Sequence, residues 1–392
     1  MTKKSKKAIA TQSKGVGNYN TANKIIMIIV IIGGGAVGLN CVLEISKSHP
    51  NDDIFLLEAE TYLGMHTSTR NSEVIHAGFA YPKDSLKAKL CLEGNPLSFE
   101  LCKTLDVPAR QSGKWIVAFS NDEAAALDNV LKNIKVCNVP GVSEKNPNEV
   151  KKALPWLNDA KRALFLKTSG IIDTSEYISA LSRILSTHSN CNVLTNCKLE
   201  QVDTAGNTIK TTRGEMPFDL LINSAGLFAD EVYKMTGGQR NFLIKPFKGE
   251  YYLWNKAPFN ELVYPVPTAF LKQNDPTLVS NMGIHVHSSI AGDKYIGPSQ
   301  KEISIDKKTD YKIETPSEVF VAETKRYLKN PPMPEDITPA QAGNRPKLFE
   351  NNKPIGDFII LKENNFIHLM GIESPGLTAA PAIARLVNGM IN

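Results

Sequence analysis

The chain has 392 residues, 42% of them hydrophobic and 22% charged, with a formal net charge of +5. That is long enough for two domains around substantial cores. Residues 1–24 hold six lysines and no acid, so the tail carries more than the whole excess and the rest is left near −1. No basic face remains to call for nucleic acid.

The tail, "MTKKSKKAIATQSKGVGNYNTANK", is polar and lacks apolar periodicity, so it is expected to be disordered. It is poor in arginine for a mitochondrial presequence. It could draw the protein to anionic lipid, giving peripheral membrane association. The expected location is cytoplasmic, at the membrane periphery if the tail engages lipid, and mitochondrial in a eukaryote. The six cysteines, at 41, 91, 102, 137, 191 and 197, form no CxxC pair and no metal-spaced cluster. They read as reduced, mostly buried thiols, with no metal site implied.

Next comes "IIMIIVIIGGGAVGLNCVLE" (25–44), which could be a membrane anchor or a strand running into a nucleotide-binding turn. Gly33, Gly35 and Gly38 make G-x-G-x-x-G directly after a β-branched run. In that pattern Gly33 serves the tight turn, Gly35 the approach of a pyrophosphate and Gly38 close helix–strand packing. A second apolar strand, "DIFLLE", ends in Glu58, 20 residues beyond Gly38, where a carboxylate would accept hydrogen bonds from a ribose. Bunched glycines also suit a membrane helix poorly. The strand–turn–helix reading wins.

Further strands are expected near 54–58, 193–202, 219–223 and 365–370, making a discontinuous cofactor domain of residues 25–110, 165–238 and 336–392. Residues 111–164, with "GKWIVAF" and the helical "DEAAALDNVLKNI", and residues 239–335, with period-2 stretches such as "GEYYLWN", should form an antiparallel substrate domain. "LKNPPMPED" (328–336) reads as a proline-rich crossing back to the cofactor side. The fold class is α/β, a Rossmann-like cofactor domain with a discontinuous antiparallel sheet over it.

Several longer segments resemble the FAD-dependent oxidoreductases of the D-amino-acid oxidase (DAO) superfamily, and within it the L-2-hydroxyglutarate dehydrogenase/oxidase group. They are "TYLGMHTSTRNSEVIHAGFAYPKDSLKAKLCLEGN" (61–95), "DLLINSAGLFAD" (219–230), "PFKGEYY" (246–252), "YPVP" (264–267), "GIHVH" (283–287), "AGNRPKL" (342–348) and "GIESPGLTAAPAIA" (371–384). The resemblance implies FAD, a 2-hydroxy acid substrate and an electron acceptor: oxygen, a quinone or an electron-transfer protein. The 2-amino acids of a glycine-oxidase-like enzyme are the alternative substrates, and flavin binding without turnover is a further alternative.

The expected cofactor residues are Gly33, Gly35, Gly38 and Glu58 in the first unit and Thr67, Ser68, Asn71 and Ser72 in the hydroxyl-rich loop. Val202, Ala225 and Gly226 follow, then Gly371, Ser374, Gly376, Leu377 and Thr378 at the last turn and helix. A helix N-terminus there offers N–H donors and partial positive charge.

For the substrate, Arg345 of "GNRP" resembles an arginine that forks onto the substrate carboxylate, a geometry guanidinium suits. His76 and His285 are the candidates for moving the hydroxyl proton. Lys248 and Tyr251 or Tyr252 are expected on the pocket roof, and alternation allows only one tyrosine to face inward. His49, His66, His188 and His368 read as structural. Arg70, Lys248 and "GIHVH" depart from the hydroxyglutarate pattern, and bear on which acid is bound.

Overall fold

The computed structural model describes residues 26–266 and 283–391; the basic tail lies outside them. Ile28–Ile32 is a strand whose β-branched side chains suit a pleated, covered surface. It pairs in parallel with Asp53–Leu57 on one side and Leu220–Asn223 on the other. The six-stranded sheet runs 359–363, 366–370, 220–223, 28–32, 53–57, 191–194. All its pairings are parallel except that of the edge strand Ile359–Glu363.

Both faces are covered, which is why the central strand is apolar at every position. Ile29 and Ile31 point to the helices Ala36–Ser48, Thr174–Leu185 and Gly376–Asn388. Val30 and Ile32 point to the opposite layer, made of a small antiparallel sheet and the helix Ala229–Met235. The strand expected at 193–202 is two strands. Cys191–Leu194 closes the parallel sheet, while Leu199–Asp203 joins Thr208–Thr211 and Gly214–Pro217 in the small one.

A ten-stranded sheet stands over this unit. Its spine is Phe242–Leu253 paired antiparallel along its length with Thr338–Glu350. Lys114–Ala118 lies between Val263–Pro265 and Arg162–Leu166. The expected helix is Asn121–Val136, opened by a Ser120–Glu123 capping box and packed on this sheet through Leu127, Val130 and Ile134. Capping boxes of this kind satisfy two backbone donors at once. One boundary moves. Residues 338–350, expected on the cofactor side, belong to the ten-stranded sheet, so the proline-rich segment before them leads into that sheet. The chain rejoins the parallel sheet at Ile359.

Candidate active site

A cavity of about 400 Å³ runs between the two sheets, from the first glycine turn to the start of the last helix. At its near end Gly33 has φ +104°, and a Cβ there would lie 2.6 Å from the Ser224 carbonyl oxygen. Both conformation and space require glycine. A Cβ on Gly38 would sit 2.0 Å from the Gly33 oxygen, so helix and turn are in direct contact, as the spacing implied. Gly35 is the N-cap of Ala36–Ser48 and offers no side-chain cap. The helix therefore presents its positive end and N–H donors to the cavity.

Glu58 ends the second strand with its carboxylate held from behind. Oε2 accepts from Gly34 N at 2.7 Å and Oε1 from Glu60 N at 2.9 Å, and the residue lines the cavity. Along the wall, Ser68 Oγ accepts from Ala36 N and Thr67 Oγ1 donates to the Asn344 carbonyl. Asn71 bonds Thr67 O, Ser68 O and Glu73 N, which shapes this loop. Ala225, Gly226, Ser374, Gly376 and Leu377 complete the lining on the far side. The last helix also begins without a side-chain cap. Two helix starts whose own N-cap residues offer no side-chain cap, a glycine cradle and an oriented carboxylate fit a dinucleotide such as FAD.

The substrate end is set by strand parity. In Phe242–Leu253, Lys248, Glu250 and Tyr252 all turn away from the cavity and hold the segment 310–315. Lys248 Nζ bonds Asp310 Oδ2 (3.1 Å) and Lys312 O (2.9 Å). The Glu250 carboxylate accepts from the backbone N–H groups of Glu314 and Thr315, and Tyr252 OH donates to Thr315 O. Gly249 and Tyr251 face the cavity, beside Gly343 and Arg345 of the paired strand. Tyr251 is thus the inward tyrosine, with its hydroxyl 2.8 Å from Ser72 Oγ.

Arg345 Nη1 is buried with no hydrogen-bond partner. Among the described residues no carboxylate lies within ion-pair distance of it. Next to it, Tyr264 and His285 stack with ring centroids 3.7 Å apart. His285 Nδ1 is 3.0 Å from the Gly283 carbonyl, and its Nε2 is buried and unpartnered. His76 Nε2 lies 3.3 Å from Ser374 Oγ and its Nδ1 3.4 Å from Lys114 Nζ. Burial holds both imidazoles well below their ordinary pKa, helped by Lys114 at His76 and by His287 at His285. Both are neutral at physiological pH.

Six expected residues stand apart from the cavity, Gly38 because it packs against the Gly33 turn behind the lining. Lys248 and Tyr252 face the other way, as parity dictates. Val202 pairs with Ile209 in the small sheet, and Cys197–Leu199 line the cavity in its place. Gly371 (φ +66°) is a turn packed on Leu348. Thr378 is buried, and its hydroxyl accepts from His76 N, tying that backbone to the last helix. His49, His188 and His368 bond Asp52, Ser46 and Asn223, as structural residues. His66 bonds Tyr311 and Glu60 yet lines the cavity, and Arg70 stacks on Tyr311.

Sequence reading missed Lys114 and Glu373. Lys114 is fully buried, with its ammonium against the rings of Phe79 and Tyr264. Glu373 lines the cavity and pairs with buried Lys87 at 2.8 Å. The one local hint is a lysine at the head of the apolar strand "KWIVA".

A family model described as FAD dependent oxidoreductase (DAO) matches residues 29–390. The chain is 30% identical over 420 residues to the mitochondrial L-2-hydroxyglutarate dehydrogenase of Arabidopsis thaliana, covering 94% of this chain and 84% of that protein. It is 31% identical over 368 residues to a glycerol 3-phosphate dehydrogenase of Caloramator mitchellensis, covering 92% and 72%. The dithionite-reduced L-alpha-glycerophosphate oxidase of Mycoplasma pneumoniae, solved with FAD bound, superposes with a TM-score of 0.77 at 23% identity, over 92% of this chain and 93% of that one. Glycine oxidase from Geobacillus kaustophilus gives 0.76 at 16% identity, over 93% and 95%. These two structures speak for the fold alone. With the family model covering both sheets and the cavity between them, the chain belongs to the DAO family of FAD-dependent oxidoreductases.

Proposed function

We propose that this enzyme oxidises a 2-hydroxy acid to the 2-oxo acid, with L-2-hydroxyglutarate as the substrate. The observation that carries the reading is Arg345: a guanidinium facing the cavity with a buried, unpartnered Nη1. An unpaired buried donor is costly unless a ligand satisfies it, and a carboxylate matches the guanidinium fork. Bound FAD supplies the two-electron oxidant. Around it, Arg345 anchors the acid, Tyr251 and Tyr264 wall the site, and two neutral histidines line the same cavity, where a hydroxyl must lose its proton. The similarity to L-2-hydroxyglutarate dehydrogenases supports the choice of acid.

A second reading has its own support. Lys248, expected to bind a second carboxylate, is committed to Asp310, and guanidinium accepts phosphate as readily as carboxylate. Glycerol 3-phosphate therefore competes with the diacid, in line with the Caloramator relative. Anaerobic titration of the yellow holoenzyme with 2-hydroxy acids, 2-amino acids and glycerol 3-phosphate decides. Bleaching of the flavin band is expected with L-2-hydroxyglutarate. Bleaching with glycerol 3-phosphate or an amino acid alone would replace this reading.

A further inference from the structure

The two cavity histidines have opposite hydrogen-bond partners. We infer that His285 Nε2 is the proton acceptor of the reaction, and that Lys114 holds His76 in the opposite tautomer, as a hydrogen-bond donor. The inference deepens the hydroxy-acid reading and rests on it for its chemistry.

At His285, Nδ1 faces the Gly283 carbonyl at 3.0 Å. A carbonyl oxygen can only accept, so Nδ1 carries the proton and the lone pair is left on Nε2. That nitrogen is buried without a partner in a residue that lines the cavity. Burial above all, then His287, with Lys114 and Arg345 adding a smaller share, keeps the ring neutral and able to accept.

At His76 the partner is the reverse. Lys114 Nζ lies 3.4 Å from Nδ1, and an ammonium can only donate. Nδ1 is then the acceptor, so the ring proton sits on Nε2, 3.3 Å from Ser374 Oγ. Burial lowers the Lys114 pKa to about 8, which leaves it cationic at neutral pH. Among the described residues no carboxylate pairs with it, and Phe79 and Tyr264 flank it. A second positive charge on the neighbouring imidazole is opposed. His76 therefore offers an N–H to an oxygen in the cavity and has no lone pair there to take a proton.

The balance of the step follows. The substrate O–H proton passes to His285 Nε2, the hydrogen on the hydroxyl-bearing carbon leaves with its electron pair to the bound two-electron oxidant, and the C=O bond forms. Lys114 touches only His76 on this path and is a positioning residue.

The test uses FAD-loaded protein labelled with ¹⁵N-histidine. Long-range ¹H–¹⁵N correlations report the tautomer of each ring, with His76→Gln and His285→Gln giving the assignments. The expected spectra show Nδ1–H at His285 and Nε2–H at His76. In Lys114→Met the His76 pattern should lose its single tautomer while His285 keeps its own. Anaerobic stopped-flow with the best substrate adds a second arm. His285→Gln should slow flavin reduction at least ~100-fold with the substrate dissociation constant changed less than about fivefold, and His76→Gln should weaken binding more than it slows reduction. A proton on Nε2 of His285, a proton on Nδ1 of His76, or a larger loss of reduction rate in His76→Gln would each overturn the inference. Failure of every hydroxy acid to bleach the flavin would sink the substrate reading instead, and the wild-type spectra decide the tautomers without any substrate.

Discussion

Replacing Arg345 by alanine tests the substrate reading most directly. The side chain stands on Thr338–Glu350, whose backbone is held by pairing along the whole of Phe242–Leu253, so its loss should leave the fold intact. It has no ion pair to break within the protein among the described residues, and the residues expected to hold the cofactor lie on other elements. The cost therefore falls on substrate. Losing one partner of a charge-assisted pair in a mostly closed pocket costs about 2–5 kcal/mol, or roughly 30-fold to several thousand-fold in kcat/KM. Arg345→Lys keeps the charge without the fork and should recover only part of the loss. The assay is kcat/KM on the best acid from the titration panel, with FAD content measured alongside by absorbance. Near-wild-type FAD is expected in both variants. An efficiency for Arg345→Ala within about threefold of wild type, less than ~1 kcal/mol, would refute the carboxylate role.

Gly35→Val should purify colourless, because even a Cβ there would lie 2.9 Å from Ser68 Oγ at the helix start that faces the cavity; bound FAD at wild-type stoichiometry would contradict the assignment. Lys87→Met strips buried Glu373 of its closest cation, and should lower stability by about 3–5 kcal/mol in urea unfolding; a change under ~1 kcal/mol would show that Lys347 alone suffices. Burial tends to raise the Glu373 pKa, but Lys87 and Lys347 outweigh it and hold the carboxyl below its ordinary range. Its contribution is complete above the unfolded value near 4.5 and lost as pH falls through the folded one; Lys87→Met should flatten the acid side of the stability profile. Burial depresses the pKa of both His76 and His285, so the acid limb of kcat/KM should lie well below the ordinary imidazole value of ~6.5; a limb at or above that value would show a charged, solvated ring.

Read as sequence alone, the dinucleotide half was legible because its determinants are local. The turn Gly33–Gly38, the helix start and the carboxylate closing the next strand lie within 26 residues, and glycine conformation and strand length set their geometry with little help from the rest of the chain. The register of the substrate sheet is not local. Alternation says that Lys248 and Tyr252 share one face and Tyr251 takes the other, but which face meets the cavity depends on where the segment 310–315 and the strand Thr338–Glu350 pack. That choice removed Lys248 from the substrate site. The same distance in sequence hid the boundary at 338 and the place of Lys114. A lysine heading an apolar strand is ordinarily exposed; here His76 and Phe79 from one segment and Tyr264 from another enclose its ammonium. Burial and hydrogen-bond partners belong to the packed chain, and they decide which histidine nitrogen holds a proton.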